Sequence, residues 1–170
     1  MIIWITGLSG SGKTTISKEL YKKYKSKIKN LVCVDGDVVR ELYDNDLAYD
    51  EQSRIKQIIR IQKLCEYLYK QGLIVIVAAL YNNIDLMKWN QKKFKNYFQI
   101  YLNASIELVK TRDPKRLYYK YKKGKQKNIV GIDIPWHNPI GSNLVINMTD
   151  KTKKEEVLEI IEKNLEIFRI

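Results

Sequence analysis

The sequence predicts an α/β protein in which helices cover both faces of a five-stranded parallel sheet. Segments with strand character alternate with segments of helical spacing, and this alternation is typical of a parallel sheet. The strongest strand signal is LIVIVAAL, Leu73 to Leu80, a continuous run that is too short for a buried helix. Such runs form strands whose two faces are both buried. We therefore expect three layers, with the sheet in the middle.

The first half of the chain contains three strand segments separated by two helical ones. Ile2–Thr6 is an apolar run, and helical spacing follows from Lys13 to about Lys27. The run LVCVDGD predicts a second strand over Leu31–Asp37. Between this strand and the one at Leu73–Leu80, a helix is predicted over Asp50–Gln71. Its apolar residues recur every three or four positions, at Ile55, Ile58, Ile59, Ile61, Leu64 and Leu68.

The second half adds two strands and two helices. YFQIYLN predicts a strand over Tyr97–Asn103, with a short helix beginning near Ala104. NLVINM predicts the last strand over Asn143–Met148, and Glu155–Ile170 has the apolar spacing of a closing helix. No linker or internal repeat divides the sequence. We therefore expect one domain over residues 1–170.

Composition favours a cytoplasmic enzyme or binding protein. The apolar share is 45%, which is in the globular range, and no apolar run is long enough to span a bilayer. The opening MIIWITG lacks the basic region of a signal peptide. Cys33 and Cys65 match no metal or redox spacing, so we expect reduced, buried thiols. We expect no membrane partner.

The formal charge of +12 raises nucleic acid as a partner. Most lysines are scattered over segments where they fit solvated helix faces, which makes that partner less favoured. The exception is RDPKRLYYKYKKGKQK, Arg112 to Lys127, in which eight of sixteen residues are basic. We call it the basic segment. It lies between the fourth and fifth predicted strands and is a candidate for a mobile flap.

The motif GLSGSGKT, Gly7 to Thr14, matches the phosphate-binding loop pattern at every fixed position. It also lies between a predicted strand and a predicted helix, where that mechanism requires it. The glycines let backbone N–H groups turn inward around anionic oxygens, and the start of the helix adds its positive end. These features predict a P-loop NTPase fold that binds a nucleoside triphosphate, which we expect to be ATP.

Each polar residue of the loop has an expected role. Lys13 would bridge the β- and γ-phosphates, Thr14 would offer its hydroxyl to Mg²⁺, and Thr15 would reach the α-phosphate. The predicted ATP-binding residues of the loop are Gly7, Ser9, Gly10, Ser11, Gly12, Lys13, Thr14 and Thr15.

Two acids, Asp35 and Asp37, lie at the end of the second predicted strand. The carboxyl ends of parallel strands line the ligand crevice, so both could face the phosphates. Asp35 could hold Mg²⁺ through water, and Asp37 could accept the proton of an attacking hydroxyl. Either residue alone could instead form an Asx turn or a helix N-cap. The pair, followed by Arg40, favours chemistry.

With these motifs the sequence resembles the adenylylsulfate kinases, P-loop enzymes that transfer the γ-phosphate of ATP to a nucleotide's ribose 3′-hydroxyl. The blocks that carry the resemblance extend from residue 2 to about residue 148. They are WITGLSGSGKTT, VDGDVVR, DLAYDEQSR, GLIVIVAAL, RDPKRLYYKYKKGKQKNIVGID and NLVIN.

The resemblance implies further site residues. Asp37 would be the base near the 3′-hydroxyl, Arg40 and Arg54 would bind the acceptor's phosphate end, and Tyr49 would stack on its base. The basic segment would be a lid, over about residues 112–131, that closes on both nucleotides. Arg112 would contact ATP, and Lys120 would contact the acceptor. Gly131, Ile132 and Asp133 would lie in the loop behind the lid.

The departures from the family fall on the acceptor side. AALYNNI, Ala78 to Ile84, stands where the family commonly reads AFISPYR, so Tyr81 replaces a serine and an arginine is missing. Gln57 stands where asparagine is usual, and Ile129 where a phenylalanine completes the base sandwich. With Leu80, these residues complete the predicted acceptor site.

A base sandwich with one aromatic wall missing loses about 1–3 kcal/mol of stacking, and a pyrimidine needs less wall than a purine. This pattern is similar to the family branch that acts on cytidine diphosphoramidate in capsule-phosphoramidate synthesis. The resemblance therefore implies that acceptor first, with adenylylsulfate as the alternative.

Two other classes of function stay open. The Tyr-rich stretch LYYKYKKGK interleaves aromatic and cationic residues as single-strand binders do, although Leu117, Tyr118 and Tyr121 also have helical spacing and could simply pack. A regulator that binds ATP without turnover is the other alternative, against which the intact Lys13 and Asp37 argue.

The remaining expectations concern one histidine, two tryptophans and the oligomeric state. His137 is expected to be a loop histidine without a chemical role, and Trp4 is expected to pack in the core or at the edge of the sheet. Trp136 could contact a nucleotide or anchor its loop. Family members commonly form dimers, so a homodimer is a further expectation.

Overall fold

The computed structural model describes residues 1–80 and 83–169, which contain one sheet of five parallel strands. The order across the sheet is β2-β3-β1-β4-β5, and every pairing is parallel. The fold class predicted from the sequence is confirmed. The strands are β1 (Ile2–Thr6), β2 (Leu31–Asp35), β3 (Ile74–Ala78), β4 (Tyr97–Ala104) and β5 (Leu144–Met148).

Seven α-helices connect or follow these strands within the described residues. They are α1 (Lys13–Tyr24), α2 (Gly36–Glu41), α3 (Glu51–Lys70), α4 (Ile84–Lys93), α5 (Ile106–Arg112), α6 (Leu117–Lys122) and α7 (Lys154–Asn164). Helices α1, α3, α5 and α7 correspond to the predicted helices, although α1 and α7 end earlier than expected. A 3₁₀ turn, Glu166–Phe168, follows α7.

Helices α2 and α4 were not predicted from the sequence, and for α6 only the helical spacing of Leu117, Tyr118 and Tyr121 was noted. The second strand was predicted to extend to Asp37, whereas β2 ends at Asp35 because the Asp35 side chain accepts a hydrogen bond from the Asp37 N–H and starts α2. Helix α4 begins similarly, since the Asn83 side chain accepts hydrogen bonds from the backbone of residues 85 and 86. Both starts are side-chain caps rather than apolar periodicity, which is why the period-based prediction missed them.

Apolar side chains alternate between the two faces of the sheet, as a buried parallel sheet requires. In β1, Ile2 and Trp4 join the core against α3 and α4, whereas Ile3 and Ile5 join the core against α1 and α7. Trp4 is fully buried, as expected. This arrangement confirms the three layers.

Strand β1 lies in the middle of the sheet, between β3 and β4. The chain therefore leaves β1 toward one edge and later crosses to the other side, and ligands of such folds bind at this switch point. Residues 7–14 follow the carboxyl end of β1, and Asp35 ends β2 at the same edge of the sheet.

Two smaller expectations can be compared with the structure. Both cysteines are free, but only Cys65 is buried; Cys33 is partly exposed, contrary to the expectation. Burial raises the pKa of the Cys65 thiol to about 12. Among the described residues, no helix has both the length and the apolar character needed to cross a membrane.

Candidate active site

A cavity of about 650 Å³ opens at the carboxyl edge of the sheet. Its walls come from the turn after β1, the start of α2, one face of α3 and the basic segment. Of the predicted site residues that the structure describes, all but Gly7 and Ile129 line it. Tyr81 lies outside the described residues. The structure thus brings residues far apart in sequence around one space.

The turn after β1 has the backbone geometry that its glycines predict. Gly12 has a φ of 105° and is the N-cap of α1, but it offers no side chain to the helix. A side chain at Gly7, whose φ is 150°, would place its Cβ 2.6 Å from the Leu102 carbonyl oxygen and 2.7 Å from Ser11 Oγ. The first turn of α1 therefore has backbone N–H groups without a capping side chain, an arrangement that fits an anionic ligand.

Lys13 points along this turn. Its Nζ donates to the carbonyl oxygens of Gly7 and Leu8, at 2.8 Å each. Burial lowers the pKa of Lys13 to about 7, with the carboxylates of Asp37 and Asp35 acting in the opposite direction and Lys115 in the same direction. An added negative charge here would raise that pKa, so the site is electrostatically suited to phosphate oxygens.

Thr14 and Asp35 form the candidate metal site. Thr14 Oγ1 donates to Asp35 Oδ2 at 2.7 Å, while Asp35 Oδ1 accepts from the Asp37 N–H at 2.8 Å. Asp35 is therefore the N-cap of α2, which was one of the two roles expected for it. It also contacts the hydroxyl of Thr14. The pair fits Mg²⁺, which is commonly held by one or two protein oxygens, substrate phosphates and water.

Asp37 lies in the first turn of α2 and its side chain is 58% exposed. Its Oδ2 accepts a hydrogen bond from Lys115 Nζ, in an ion pair between α2 and the basic segment. Lys115 also lines the cavity. Lys115 was not among the site residues predicted from the sequence, although it lies in the RDPK block that carried the resemblance.

The wall opposite the turn contains two arginines around one aromatic ring. The Arg40 and Arg54 guanidinium carbons lie 4.5 Å and 5.6 Å from the centroid of the Tyr49 ring. Arg40 is only 6% exposed and donates Nη1 to the carbonyl oxygens of Leu47 and Ala48. Its observed hydrogen bonds therefore hold the segment that carries Tyr49, in addition to lining the cavity.

Arg54 connects that wall to the end of the basic segment. Its Nε donates to the Tyr49 carbonyl oxygen at 2.8 Å, and its Nη2 donates to the Asn128 carbonyl oxygen at 2.7 Å. Asn128 also lines the cavity. Helix α3 and the chain beyond the basic segment are thus joined at the cavity's edge.

The basic segment folds over the opening turn. Asp113 accepts hydrogen bonds from the N–H groups of Tyr118 and Tyr119, which organises the start of α6. The Tyr118 hydroxyl then donates to the Ser9 carbonyl oxygen at 3.1 Å, and burial raises its pKa to about 12. Tyr118 is buried and packs with Leu117 and Tyr121, as their helical spacing allowed.

Part of the segment's charge is directed to the cavity. Arg112, Lys115 and Lys120 line it, and Arg112 Nη2 also donates to the Thr149 carbonyl oxygen at 2.7 Å. Thr152 and Lys154, which the sequence analysis did not consider, lie on the same wall. Because Thr152 and Lys154 follow β5, their presence at the cavity depends on the order of the strands in the sheet.

Ile129 does not occupy the predicted place in the acceptor wall. Its side chain is 1% exposed and belongs to the hydrophobic core. The backbone N–H groups of Asn128 and Ile129 both donate to the Asp133 carboxylate, which closes a tight turn. Gly131 within it has a φ of 90°. Gly131, Ile132 and Asp133 therefore belong to this turn, and Ile129 faces inward because of it.

Trp136 serves as an anchor for its loop. Its Nε1 donates to Asn138 Oδ1 at 3.1 Å and to the Tyr101 hydroxyl at 3.3 Å, and its ring packs against the core. Neither Trp136 nor His137 is among the described residues that line the cavity.

The sequence matches one protein family over most of its length. The adenylylsulphate kinase family model matches residues 1–147. A cytidine diphosphoramidate kinase from Campylobacter jejuni subsp. jejuni is 42% identical over 96% of this chain and 95% of its own. An adenylyl-sulfate kinase from Rippkaea orientalis is 33% identical over 95% of this chain and 89% of its own.

Among solved structures, the APS kinase of Mycobacterium tuberculosis in complex with AMPPNP and APS has a similar fold. It aligns with a TM-score of 0.85 and 25% identity, over 97% of this chain and 96% of its own. The match to the family extends over most of the sequence and includes the cavity-lining residues of the opening turn, α2, α3 and the basic segment. This chain belongs to the adenylylsulphate kinase family.

Proposed function

We propose that this protein transfers the γ-phosphate of ATP to the ribose 3′-hydroxyl of a nucleotide whose phosphate carries a small tetrahedral group. The preferred acceptor in this proposal is cytidine diphosphoramidate. The observation that carries it is the presence, in one cavity, of the Lys13–Thr14 turn and the Asp37 carboxylate. One binds triphosphate in P-loop kinases, and the other is an acid of the type that accepts an alcohol's proton.

ATP is expected to lie against the opening turn. The N–H groups of the first turn of α1 and Lys13 would bind its β- and γ-phosphates, and Arg112 would contact it from the basic segment. Thr14 and Asp35 would hold Mg²⁺, which neutralises charge on the phosphates when bound. That nucleotide type agrees with the relative from Mycobacterium tuberculosis, whose structure contains AMPPNP.

The acceptor would lie between the Tyr49 wall and Asp37. Its 3′-oxygen attacks the γ-phosphorus, the bond from that phosphorus to the β–γ bridging oxygen breaks, and ADP leaves. The hydroxyl proton passes to the Asp37 carboxylate. The side chains of Arg40, Arg54 and Lys120 would bind the acceptor's phosphate end, which is consistent with their positions in the cavity lining.

The basic segment would act as the lid, over about residues 112–131, within a single domain. Its cations would offset phosphate charge, and closure would exclude water, which otherwise competes with the acceptor hydroxyl. The Lys115–Asp37 ion pair supports this role because it connects the segment directly to the proposed base.

The homodimer stays a prediction that light scattering of the purified protein tests.

One comparison favours cytidine diphosphoramidate over adenylylsulfate. The relative that acts on the cytidine nucleotide is 42% identical, against 33% for the adenylyl-sulfate kinase from Rippkaea orientalis. The family match keeps adenylylsulfate as the second candidate.

A panel of acceptors tests the proposal. The purified protein is supplied with ATP, Mg²⁺ and cytidine diphosphoramidate, CDP, adenylylsulfate or cytidine, and kcat/KM is measured from ADP release. Phosphorus NMR then locates the new phosphate. We expect the highest kcat/KM for cytidine diphosphoramidate, with the product phosphorylated at the 3′-oxygen. A higher value for adenylylsulfate, or a phosphate at another oxygen, would contradict the proposal.

A further inference from the structure

Gln57 is a buried amide beside the proposed base. Helix α3 presents Arg54 and Gln57, three residues apart, to the cavity, because positions at this spacing share a helix face. Gln57 is 5% exposed. Its Nε2 donates to the carbonyl oxygen of Gly36 at 3.1 Å, which places the amide one residue from Asp37.

This hydrogen bond fixes which way the amide faces. A backbone carbonyl oxygen can only accept, so the Gln57 NH₂ group must be the one that meets Gly36. The carbonyl oxygen, Oε1, is then the remaining polar atom. It is buried and has no hydrogen-bond partner among residues 1–80 and 83–169.

An unsatisfied buried acceptor is unfavourable, and native structures contain few of them. Gln57 lines the cavity, so a bound molecule can supply the missing donor. A group with only acceptor atoms would instead bring its lone pairs against those of Oε1. At this position a hydrogen-bond donor on the ligand is therefore more favourable than an acceptor.

We infer that Gln57 Oε1 accepts a hydrogen bond from the terminal NH₂ group of the acceptor nucleotide and so selects phosphoramidate over sulfate. The inference rests on the proposed function. A terminal phosphoramidate has two oxygens and an NH₂ group on phosphorus, whereas a terminal sulfate has three oxygens on sulfur and no donor. The two groups are both tetrahedral and carry the same formal charge, so size and charge discriminate poorly between them.

The neighbouring cations would bind either group. Arg40, Arg54 and Lys120 all donate hydrogen bonds and carry positive charge, so they favour any anionic oxygen. On this wall of the cavity, Gln57 Oε1 is a buried acceptor to which none of the described residues donates a hydrogen bond. Selection for an N–H group thus depends on this residue.

The test uses two acceptors that differ only in the terminal group, cytidine diphosphoramidate and cytidine 5′-phosphosulfate. Base, ribose and formal charge are the same, so the ratio of their kcat/KM values reports on the NH₂ group. The ratio is measured for the wild type, for Gln57→Met, which removes both amide atoms, and for Gln57→Asn, which withdraws the amide along the side chain.

Gln62→Met is the matched control. Gln62 lies on the same helix, is equally buried, and its Nε2 donates to the Leu86 carbonyl oxygen and to Asn90 Oδ1. It does not line the cavity. Thermal unfolding of each variant separates loss of folding from loss of selection, because the ratio is compared only within one folded protein.

We expect Gln57→Met to lower the phosphoramidate preference about tenfold, which corresponds to about 1.4 kcal/mol of transition-state binding. Gln57→Asn should lower it in the same direction, and Gln62→Met should leave it unchanged. An unchanged ratio in both Gln57 variants would overturn the inference while leaving the proposed function intact. If the wild type phosphorylates neither cytidine acceptor, the proposed function itself is wrong and the inference falls with it.

Discussion

ATP binding should take up a proton near neutral pH because of Lys13. Burial lowers the pKa of this lysine to about 7, well below its ordinary value of 10.5. A triphosphate placed against Lys13 Nζ would stabilise the charged form and raise the pKa again. Free protein above pH 7 therefore holds a largely neutral lysine that becomes protonated when ATP binds.

The size of the effect follows from that pKa. At pH 8 the free lysine would be about 10% protonated, so full protonation in the complex takes up about 0.9 proton per ATP. At pH 6 the uptake falls to about 0.1 proton. By the same linkage, the ATP affinity should weaken about 50-fold between pH 7 and pH 9, provided that bound Lys13 stays charged.

Titration calorimetry at pH 8, in two buffers of different ionisation enthalpy, measures the proton uptake directly. Lys13→Arg is the control, since a guanidinium is charged throughout this range and should take up no proton at this position. Equal binding enthalpies in both buffers for the wild type would refute the assignment of Lys13 as a buried, phosphate-binding lysine.

The same shift has a consequence for stability. The unfolded chain, with a lysine pKa near 10.5, binds more protons than the folded one between about pH 7 and pH 10.5. The contribution of Lys13 to the free energy of unfolding should therefore increase with pH across this window. Below pH 7 this contribution no longer changes with pH, because the lysine is protonated in both the folded and the unfolded state.

Three further predictions concern other parts of the cavity. Asp37→Asn should lower kcat by about 10²–10⁴-fold, as loss of a general base does, with little change in the ATP dissociation constant; a near-normal kcat would exclude this base. Lys115→Met should lower kcat/KM about tenfold through loss of its contact with Asp37, while the control Lys122→Met, on the exposed side of α6, should not; equal effects would show that only overall charge matters. Ile129→Phe should lower the free energy of unfolding by about 1–3 kcal/mol by overpacking the core, without changing the base preference; a shift toward adenine nucleotides would mean that this side chain does reach the acceptor.

Several elements of the fold were predictable because their causes are local. The glycine spacing of residues 7–14 predicts a phosphate-binding turn. The continuous apolar run of β3 and the apolar period of α3 identify these two elements without reference to their neighbours. The starts of α2 and α4 were not predictable in this way, because each depends on one capping side chain. The burial of Ile129 depends on the turn closed by Asp133, which brings it against the core.

The sequence alone determined the fold class, the phosphate-binding turn and the two acids at the end of β2 and the start of α2, because these depend on short-range spacing. The tertiary structure decided which distant side chains share the cavity. Asp37 meets Lys115 across 78 positions of sequence, and Gln57 is oriented by a backbone oxygen on another helix. Such contacts follow from the order of the strands and the packing of α3 on the sheet, and no local pattern encodes them.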